Sequence, residues 1–133
     1  MNRILSLIGV VLVVGCGSPP PDGPYEDYHD NGQLFQKGTY KDGKPDGPSE
    51  YYYDNGQLES KGTYKAGKLN GPYEEYYDNG QLEGKGTLKD GVMDGPSEGY
   101  HYNGQLREKG TLKDNEKCGE WLEQGETVTH DPC

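Results

Sequence analysis

The chain contains four versions of one motif, Tyr76-Tyr77-Asp78-Asn79-Gly80-Gln81-Leu82, and this motif is the main indicator of the fold. Each version carries an Asn-Gly pair with a Tyr three residues before the Asn and Gln-Leu directly after the Gly. The pairs recur every 24 residues, at Asn31-Gly32, Asn55-Gly56, Asn79-Gly80 and Asn103-Gly104. A constant period of this length is typical of repeat architectures. Asn-Gly between aromatic and polar runs is a strong signal for a β-hairpin, so the stretch predicts a repeated hairpin.

The repeats run in register through most of the chain. Each unit opens with Asp/Asn-Gly-Pro and continues with a Tyr-rich strand, the Asn-Gly turn and a second strand that ends in a Gly-bearing turn. Gly and Pro recur too often for a helix to propagate. We therefore predict an all-β fold, an elongated single-layer antiparallel β-meander of 24-residue β-hairpin repeats. The predicted units are repeats 22–45, 46–69, 70–93 and 94–117, followed by a partial fifth repeat and C-terminal cap at 118–133.

Two loop geometries are open at Asn79-Gly80. A two-residue type I′ loop would put Tyr76 and Leu82 on opposite faces of the sheet. A three-residue loop with Gly80 in the left-handed bulge position would pair Tyr76 with Leu82 instead. We favour the three-residue loop, because it gathers the recurrent Tyr76, Leu82 and Leu88 on one face. The other face would then hold mostly Lys, Thr, Glu and Gln.

The N-terminus carries signals for export. A short basic start precedes an apolar run at residues 4–14, which is shorter than the ~20 residues that a membrane span needs but fits the apolar part of a signal peptide. A buried core helix is the alternative, although nothing else in the chain is apolar enough to bury it. Val13-Val14-Gly15-Cys16 resembles the bacterial lipobox, and this resemblance implies cleavage after Gly15 and acylation of Cys16. A plain signal peptide or an uncleaved anchor remains open.

These signals predict a lipoprotein signal peptide at 1–15 and a lipidated cysteine with a Pro-rich tether at 16–21. The predicted location is outside the cytoplasm, lipid-anchored to a bacterial membrane. Gly17 stands where an Asp would signal retention at the inner membrane, which favours the outer membrane in a host that has one.

The charge balance excludes some partners. The full chain has a net charge of −10, and removal of Arg3 with the signal leaves 12 basic and 23 acidic residues, a net charge of −11. This argues against nucleic acid and against docking on anionic lipid headgroups, since both need clustered Lys and Arg. Low hydrophobicity with high net charge would also fit disorder, but twelve tyrosines at periodic positions weigh against it.

Two of the three cysteines lie in the predicted C-terminal cap. If Cys16 carries lipid, Cys118 and Cys133 remain in the exported part. A pair of this kind outside the cytoplasm usually forms a disulfide. We predict a Cys118–Cys133 disulfide.

No residue pattern indicates catalysis. Aspartates in the Gly-bearing turns invite a calcium interpretation, but no turn has the number of oxygen ligands that a calcium loop provides, and we interpret these residues as turn-forming Asp. Nucleophile, phosphate-loop and metalloprotease motifs are absent from the sequence. We predict a protein that is not an enzyme and that uses no cofactor or metal.

The tyrosine-rich strands are the remaining candidates for function. Tyrosine offers a large and rigid contact area, which binding surfaces favour. Packing against the neighbouring rows is the alternative use of these side chains. The candidate recognition stripe comprises Tyr53, Tyr77, Tyr102, His29 and His101.

Gly38-Thr39-Tyr40-Lys41-Asp42-Gly43-Lys44-Pro45-Asp46-Gly47 resembles the MORN repeat, with glycines and an aromatic residue at the spacing of that family. The longer 24-residue unit is most similar to the bacterial MORN variant repeat, and the resemblance covers residues 23 to about 121. It implies a fold of consecutive β-hairpins. Bacterial proteins with this repeat are grouped as antitoxin or immunity components or are lipoproteins without known activity. Eukaryotic MORN proteins are connected with phosphoinositides and scaffolding.

Together these observations predict a non-catalytic, membrane-anchored lipoprotein whose repeats act as a protein-binding or structural module at the cell envelope. The predicted partners are the membrane, through the lipid, and a protein or an envelope polymer. An antitoxin or immunity component of a toxin system is the alternative. A glycan-active enzyme is a third option that would need two carboxylates converging in a cleft.

Overall fold

A computed structural model describes residues 20–133, and every regular element in this part is a β-strand. The predicted signal peptide, Cys16 and most of the tether lie outside the described residues. Between residues 20 and 133 no helix has the length and apolarity of a membrane span. The strands are β1 (Gly23–Tyr28), β2 (Leu34–Lys41), β3 (Lys44–Pro45), β4 (Gly47–Tyr52), β5 (Leu58–Lys65), β6 (Lys68–Leu69), β7 (Gly71–Tyr76), β8 (Leu82–Lys89), β9 (Val92–Met93), β10 (Gly95–Tyr100), β11 (Leu106–Lys113), β12 (Glu116–Glu123) and β13 (Glu126–Thr129).

All thirteen strands belong to one open antiparallel sheet. The long strands lie in chain order, β1-β2-β4-β5-β7-β8-β10-β11-β12-β13, and the two-residue strands β3, β6 and β9 fold back on β2, β5 and β8. Each repeat therefore contacts mainly the repeat before it and the repeat after it, as in other repeat proteins. The predicted fold, a single-layer meander of hairpin repeats, is confirmed.

The Asn-Gly loops have the predicted three-residue geometry. The backbone N–H of Gly80 donates to the carbonyl of Tyr77 at 2.9 Å, and the N–H of Tyr77 donates to the carbonyl of Gln81 at 2.8 Å. Gly80 has a φ of 83°, a left-handed conformation that glycine adopts without strain. Tyr76 lies opposite Leu82, as the three-residue loop predicts.

A second bulge follows directly on the loop. Tyr76 is paired with Leu82, whereas its neighbour Glu75 is paired with Gly84. Glu83 is therefore an extra residue that no residue of β7 opposes in the ladder. The same irregularity occurs in the other three Asn-Gly hairpins.

This bulge moves the rest of β8 to the other face. Leu88 pairs with Gly71 and so lies on the face that carries Tyr73, opposite to the face of Tyr76. The prediction that Tyr76, Leu82 and Leu88 share one face is therefore wrong for Leu88. The physical reason is the two-residue period of a strand, in which one inserted residue exchanges the faces of all residues beyond it.

The two faces of the sheet consequently differ from the predicted ones. The face of Tyr76 also carries the recurrent Glu and Lys of each hairpin together with Pro and Thr. The opposite face is called the aromatic face below. It comprises Tyr25, Tyr40, Tyr51, Tyr64, Tyr73 and Leu88, with Phe35 against Tyr51.

Tight burial of apolar side chains is confined to the C-terminal cap. Trp121 is 2% exposed and Cys118 is 5% exposed, and no other apolar residue in 20–133 is buried to this extent. The indole Nε1–H of Trp121 donates to the carbonyls of Thr111, at 3.0 Å, and Cys118, at 3.2 Å. Cys118 forms a disulfide with Cys133, so the predicted pairing is present and ties the chain end to β12.

Candidate binding surfaces

A row of alternating charges crosses the sheet on the face of Tyr76. Within each hairpin and between consecutive hairpins, a Glu lies directly opposite a Lys. The N–O distances of the ion pairs between consecutive repeats are 2.7, 2.8 and 2.9 Å. This charge row consists of Glu26, Lys37, Glu50, Lys61, Glu74, Lys85, Glu98 and Lys109.

The carboxylates inside the charge row are held in the ionised form. Glu98 accepts a hydrogen bond from the Tyr100 hydroxyl, and Lys85 and Lys109 each lie 2.9 Å from it. These contacts lower the pKa of Glu98 to about 2. Glu50, mainly through Lys37, also has a lowered pKa. The charges of the row thus form ion pairs between consecutive repeats. Exposed ion pairs of this kind contribute about 1 kcal/mol or less each to the stability of a protein.

The predicted recognition stripe lies in one line along the Asn-Gly loops. His29, Tyr53 and Tyr77 are half-buried, and each donates a hydrogen bond to a backbone carbonyl of the next repeat. The acceptor is the carbonyl of the tyrosine that ends the first strand of that repeat. The bonds are His29 Nε2 to Tyr52 O at 2.7 Å, Tyr53 Oη to Tyr76 O at 2.7 Å, and Tyr77 Oη to Tyr100 O at 2.8 Å.

The other two members of the stripe are exposed. Tyr102 is 55% exposed, its ring centroid lies 5.1 Å from that of Tyr77, and its hydroxyl donates to Asp78 at 2.9 Å. His101 is exposed at the last Asn-Gly loop. The structure therefore brings the five residues into one row, without a common pocket. A role of this row in binding stays a prediction.

The aromatic face is a second surface, which the sequence analysis missed. The ring centroids of Tyr25 and Tyr40 lie 4.6 Å apart, and those of Phe35 and Tyr51 lie 6.1 Å apart. The ring of Tyr25 covers Gly38, because a Cβ added there would come within 2.9 Å of it. An available signal was the fourth residue of each repeat, which alternates between Tyr and Ser: Tyr25, Ser49, Tyr73 and Ser97.

Three tyrosines of this face have raised pKa values. Partial burial raises the pKa of Tyr25 and of Tyr64. Burial and the hydrogen bond to Glu75, at 2.9 Å, raise the pKa of Tyr73 to about 12. At neutral pH the face therefore presents uncharged rings with hydroxyl groups, a composition that suits protein contacts.

The aromatic face contains a trough in repeats three and four. Small residues replace the rings there, and the cavity has a volume of about 350 Å³. Tyr73 and Met93 contribute apolar side chains to its lining, and Glu75, Glu83, Glu108 and Arg107 contribute charged ones. The small residues of its lining are Gly84, Gly86, Ser97 and Gly99.

Metal-ligand chemistry has no assembled site between residues 20 and 133. No group of three or more His, Cys, Asp or Glu side chains in this part of the chain has the geometry to hold a metal ion.

The match to a known family covers all four hairpin units. The family model described as the MORN repeat variant matches residues 21–42, 45–66, 69–90 and 93–114. No curated protein matches the chain significantly. The matched segments together make up well over half of the chain and coincide with the repeated hairpins of the sheet, and such repeats indicate a structural or binding module. The chain therefore belongs to the family of MORN repeat variant proteins.

Proposed function

We propose that this chain is a non-catalytic, membrane-anchored lipoprotein whose MORN repeats bind a protein partner at the cell envelope. The observation that best supports the proposal is the aromatic face of a single-layer sheet. Among residues 20–133 no second layer covers this face, so its rings are only half-buried. Half-buried tyrosines can gain further burial against a partner at low entropic cost.

The trough suggests which part of a partner would dock. Tyr73 and Met93 offer apolar contact, and Glu75 and Glu83 offer carboxylates, whereas Glu108 is already paired with Arg107 and Lys117. A long basic side chain satisfies both conditions, because its aliphatic stem packs on apolar groups while its charged end reaches the carboxylates. We expect the partner to insert Lys or Arg here.

Comparison of matched variants tests the binding face. Tyr73→Ser places at this position the residue that the equivalent positions Ser49 and Ser97 already carry, so the fold should tolerate it. We expect it to reduce capture of the partner by the immobilised chain from a membrane extract. Leu106→Ser is the control, because Leu106 is 40% exposed and lies opposite Tyr100 on the other face, outside the aromatic face. Equal capture by the Tyr73→Ser variant and the wild type would contradict the proposal.

The lipid anchor is a separate part of the proposal. It rests on the lipobox-like Val13-Val14-Gly15-Cys16 and on the Pro-rich residues that follow. We expect radiolabelled palmitate to be incorporated into the full chain and not into the Cys16→Ala variant. Normal labelling of that variant would exclude lipidation at this cysteine.

An immunity function is the second candidate. The net charge of −11 after loss of the signal would complement a basic toxin, and the variant repeat occurs in proteins grouped as immunity components. It predicts that expression of the chain rescues cells from a toxin encoded beside its gene. Failure of rescue with such a toxin would exclude it.

A further inference from the structure

The three junctions between consecutive Asn-Gly hairpins all use the same three polar contacts. A Lys of the preceding repeat pairs with the Glu of the following strand, and a His or Tyr donates to the strand tyrosine's carbonyl. The third contact is an Asn side-chain amide, which donates to the carbonyl of the first loop residue in the next repeat. Its three examples are Asn31 to Asp54 at 2.7 Å, Asn55 to Asp78 at 2.9 Å and Asn79 to Tyr102 at 3.0 Å.

The outer edge of β1 carries the same three acceptors without their donors. In repeat one they are the carboxylate of Glu26 and the carbonyls of Tyr28 and Asp30. Between residues 20 and 133 no lysine forms an ion pair with Glu26, no side chain donates to either carbonyl, and no strand pairs with this side of β1. Glu26 keeps only the hydroxyl of Tyr28, at 2.5 Å.

Two side chains of β1 are more exposed than their equivalents in the other repeats, as expected when these contacts are missing. Glu26 and Tyr28 are exposed, whereas the equivalent Glu and Tyr of repeats two, three and four are all half-buried. The residue types are the same, so the difference arises from the preceding repeat, which covers them everywhere except at β1. Among residues 20–133 the β1 edge is therefore one half of a repeat junction whose other half is not supplied.

We propose that the β1 edge binds an extended strand of another protein by β-augmentation, and that the strand carries a lysine opposite Glu26. In this mode backbone hydrogen bonds supply affinity and side chains supply specificity. The side chains that fit are those this chain uses at its own junctions. They are a Tyr or His, an Asn two residues later and a Lys six residues after the Asn, as in Tyr53, Asn55 and Lys61.

Charge argues against a second copy of this chain as the occupant. β1 carries Glu26 and Asp27 but no Lys or Arg, so pairing of two β1 edges offers Glu26 no lysine in any register and brings like charges together, which destabilises a sheet. The other outer strand, β13, carries Glu126 and no lysine. The long strands that carry lysine, β2, β5, β8, β11 and β12, are already paired on both sides. A basic strand from a different protein is the occupant that satisfies the three acceptors.

A peptide from this chain provides the probe. Residues 47–65 form the β4–β5 hairpin, and in the peptide β5 would be free to pair with β1 as it pairs with β7 in the intact sheet. We expect the fluorescently labelled peptide to bind the full chain in anisotropy titrations and to slow hydrogen exchange in β1. A Lys61→Glu peptide should bind about fivefold more weakly or worse, since an exposed ion pair is lost.

A charge exchange makes the test specific. Glu26→Lys in the full chain should weaken binding of the peptide that carries Lys61 and should restore binding of the Lys61→Glu peptide. Glu126→Lys changes the net charge equally on the other outer strand, so it should leave both titrations unchanged. The proposal is overturned by any of three results: no binding of the Lys61 peptide to the wild type, equal effects of Glu26→Lys and Glu126→Lys, or protection of β13 in place of β1.

Discussion

The indole of Trp121 lies directly over Gly110, and a Cβ added to Gly110 would come within 2.2 Å of the ring. Trp121 cannot move away easily, because it is 2% exposed and its Nε1–H donates to two backbone carbonyls. The same arrangement recurs with smaller partners, since Met93 covers Gly86 and Tyr73 covers Gly62. In each Lys-Gly-Thr segment the glycine thus leaves room for a side chain of the aromatic face, which occupies the place of the missing Cβ.

Gly110→Ala should destabilise the cap strongly. The added methyl group forces the indole out of its place, and overpacking of this kind costs about 3 kcal/mol. The free energy of unfolding from urea denaturation measures the effect. Gly84→Ala is the matched control, because its Cβ would lie 3.4 Å from the nearest atom, the carbonyl oxygen of Glu98. Equal losses in the two variants would show that Trp121 does not depend on the space at Gly110.

Ala66→Asn should stabilise the protein. Ala66 has a φ of 49°, and the equivalent residues of repeats one and three are Asp42 with a φ of 51° and Asp90 with a φ of 52°. The left-handed conformation costs Ala about 1 kcal/mol, and Asn tolerates it. Thermal and urea denaturation should show a gain of about this size. Asp90→Ala is the reverse change in the equivalent turn and should lose a similar amount, so a gain in both variants would contradict the explanation.

Tyr53→Phe should lower stability, because it removes the hydrogen bond that joins repeat two to the carbonyl of Tyr76 at 2.7 Å. We expect a loss of about 1 kcal/mol in the free energy of unfolding. Tyr102→Phe removes an exposed bond to Asp78 and should stay within about 0.5 kcal/mol of the wild type. If Tyr53→Phe is as stable as the wild type but loses partner binding, the stripe serves recognition and not packing.

Acid should weaken the charge row. The folded-state pKa of Glu98, about 2, lies below its ordinary value of 4.5, because Tyr100, Lys85 and Lys109 stabilise the carboxylate. A lowered folded-state pKa contributes stability that is present above pH 4.5 and is lost as the pH falls towards about 2. Glu98→Gln should therefore lose less stability than the wild type across this interval. Parallel stability curves for the two proteins would contradict the assignment.

The hairpin, the 24-residue period and the loop geometry could all be predicted from the amino-acid sequence alone. Asn79-Gly80 specifies a left-handed glycine at the third loop position, and the loop places Tyr76 opposite Leu82. These features depend on local conformational preferences, which a repeated motif expresses in the same way each time. The Cys118–Cys133 pairing also followed from the sequence, through the expected compartment of the chain.

Two features emerge only in the folded sheet. They are the set of residues that share a face and the set of residues that hold consecutive repeats together. Glu83 is an extra residue in the ladder, and no glycine at this position indicates a bulge in the sequence. Leu88 lies on the other face as a result. Tyr53 and Tyr25 are both half-buried tyrosines. The hydroxyl of Tyr53 donates to a carbonyl of the next repeat, whereas the ring of Tyr25 covers Gly38. Such assignments depend on the neighbouring strand, whose register arises only when the whole sheet is formed.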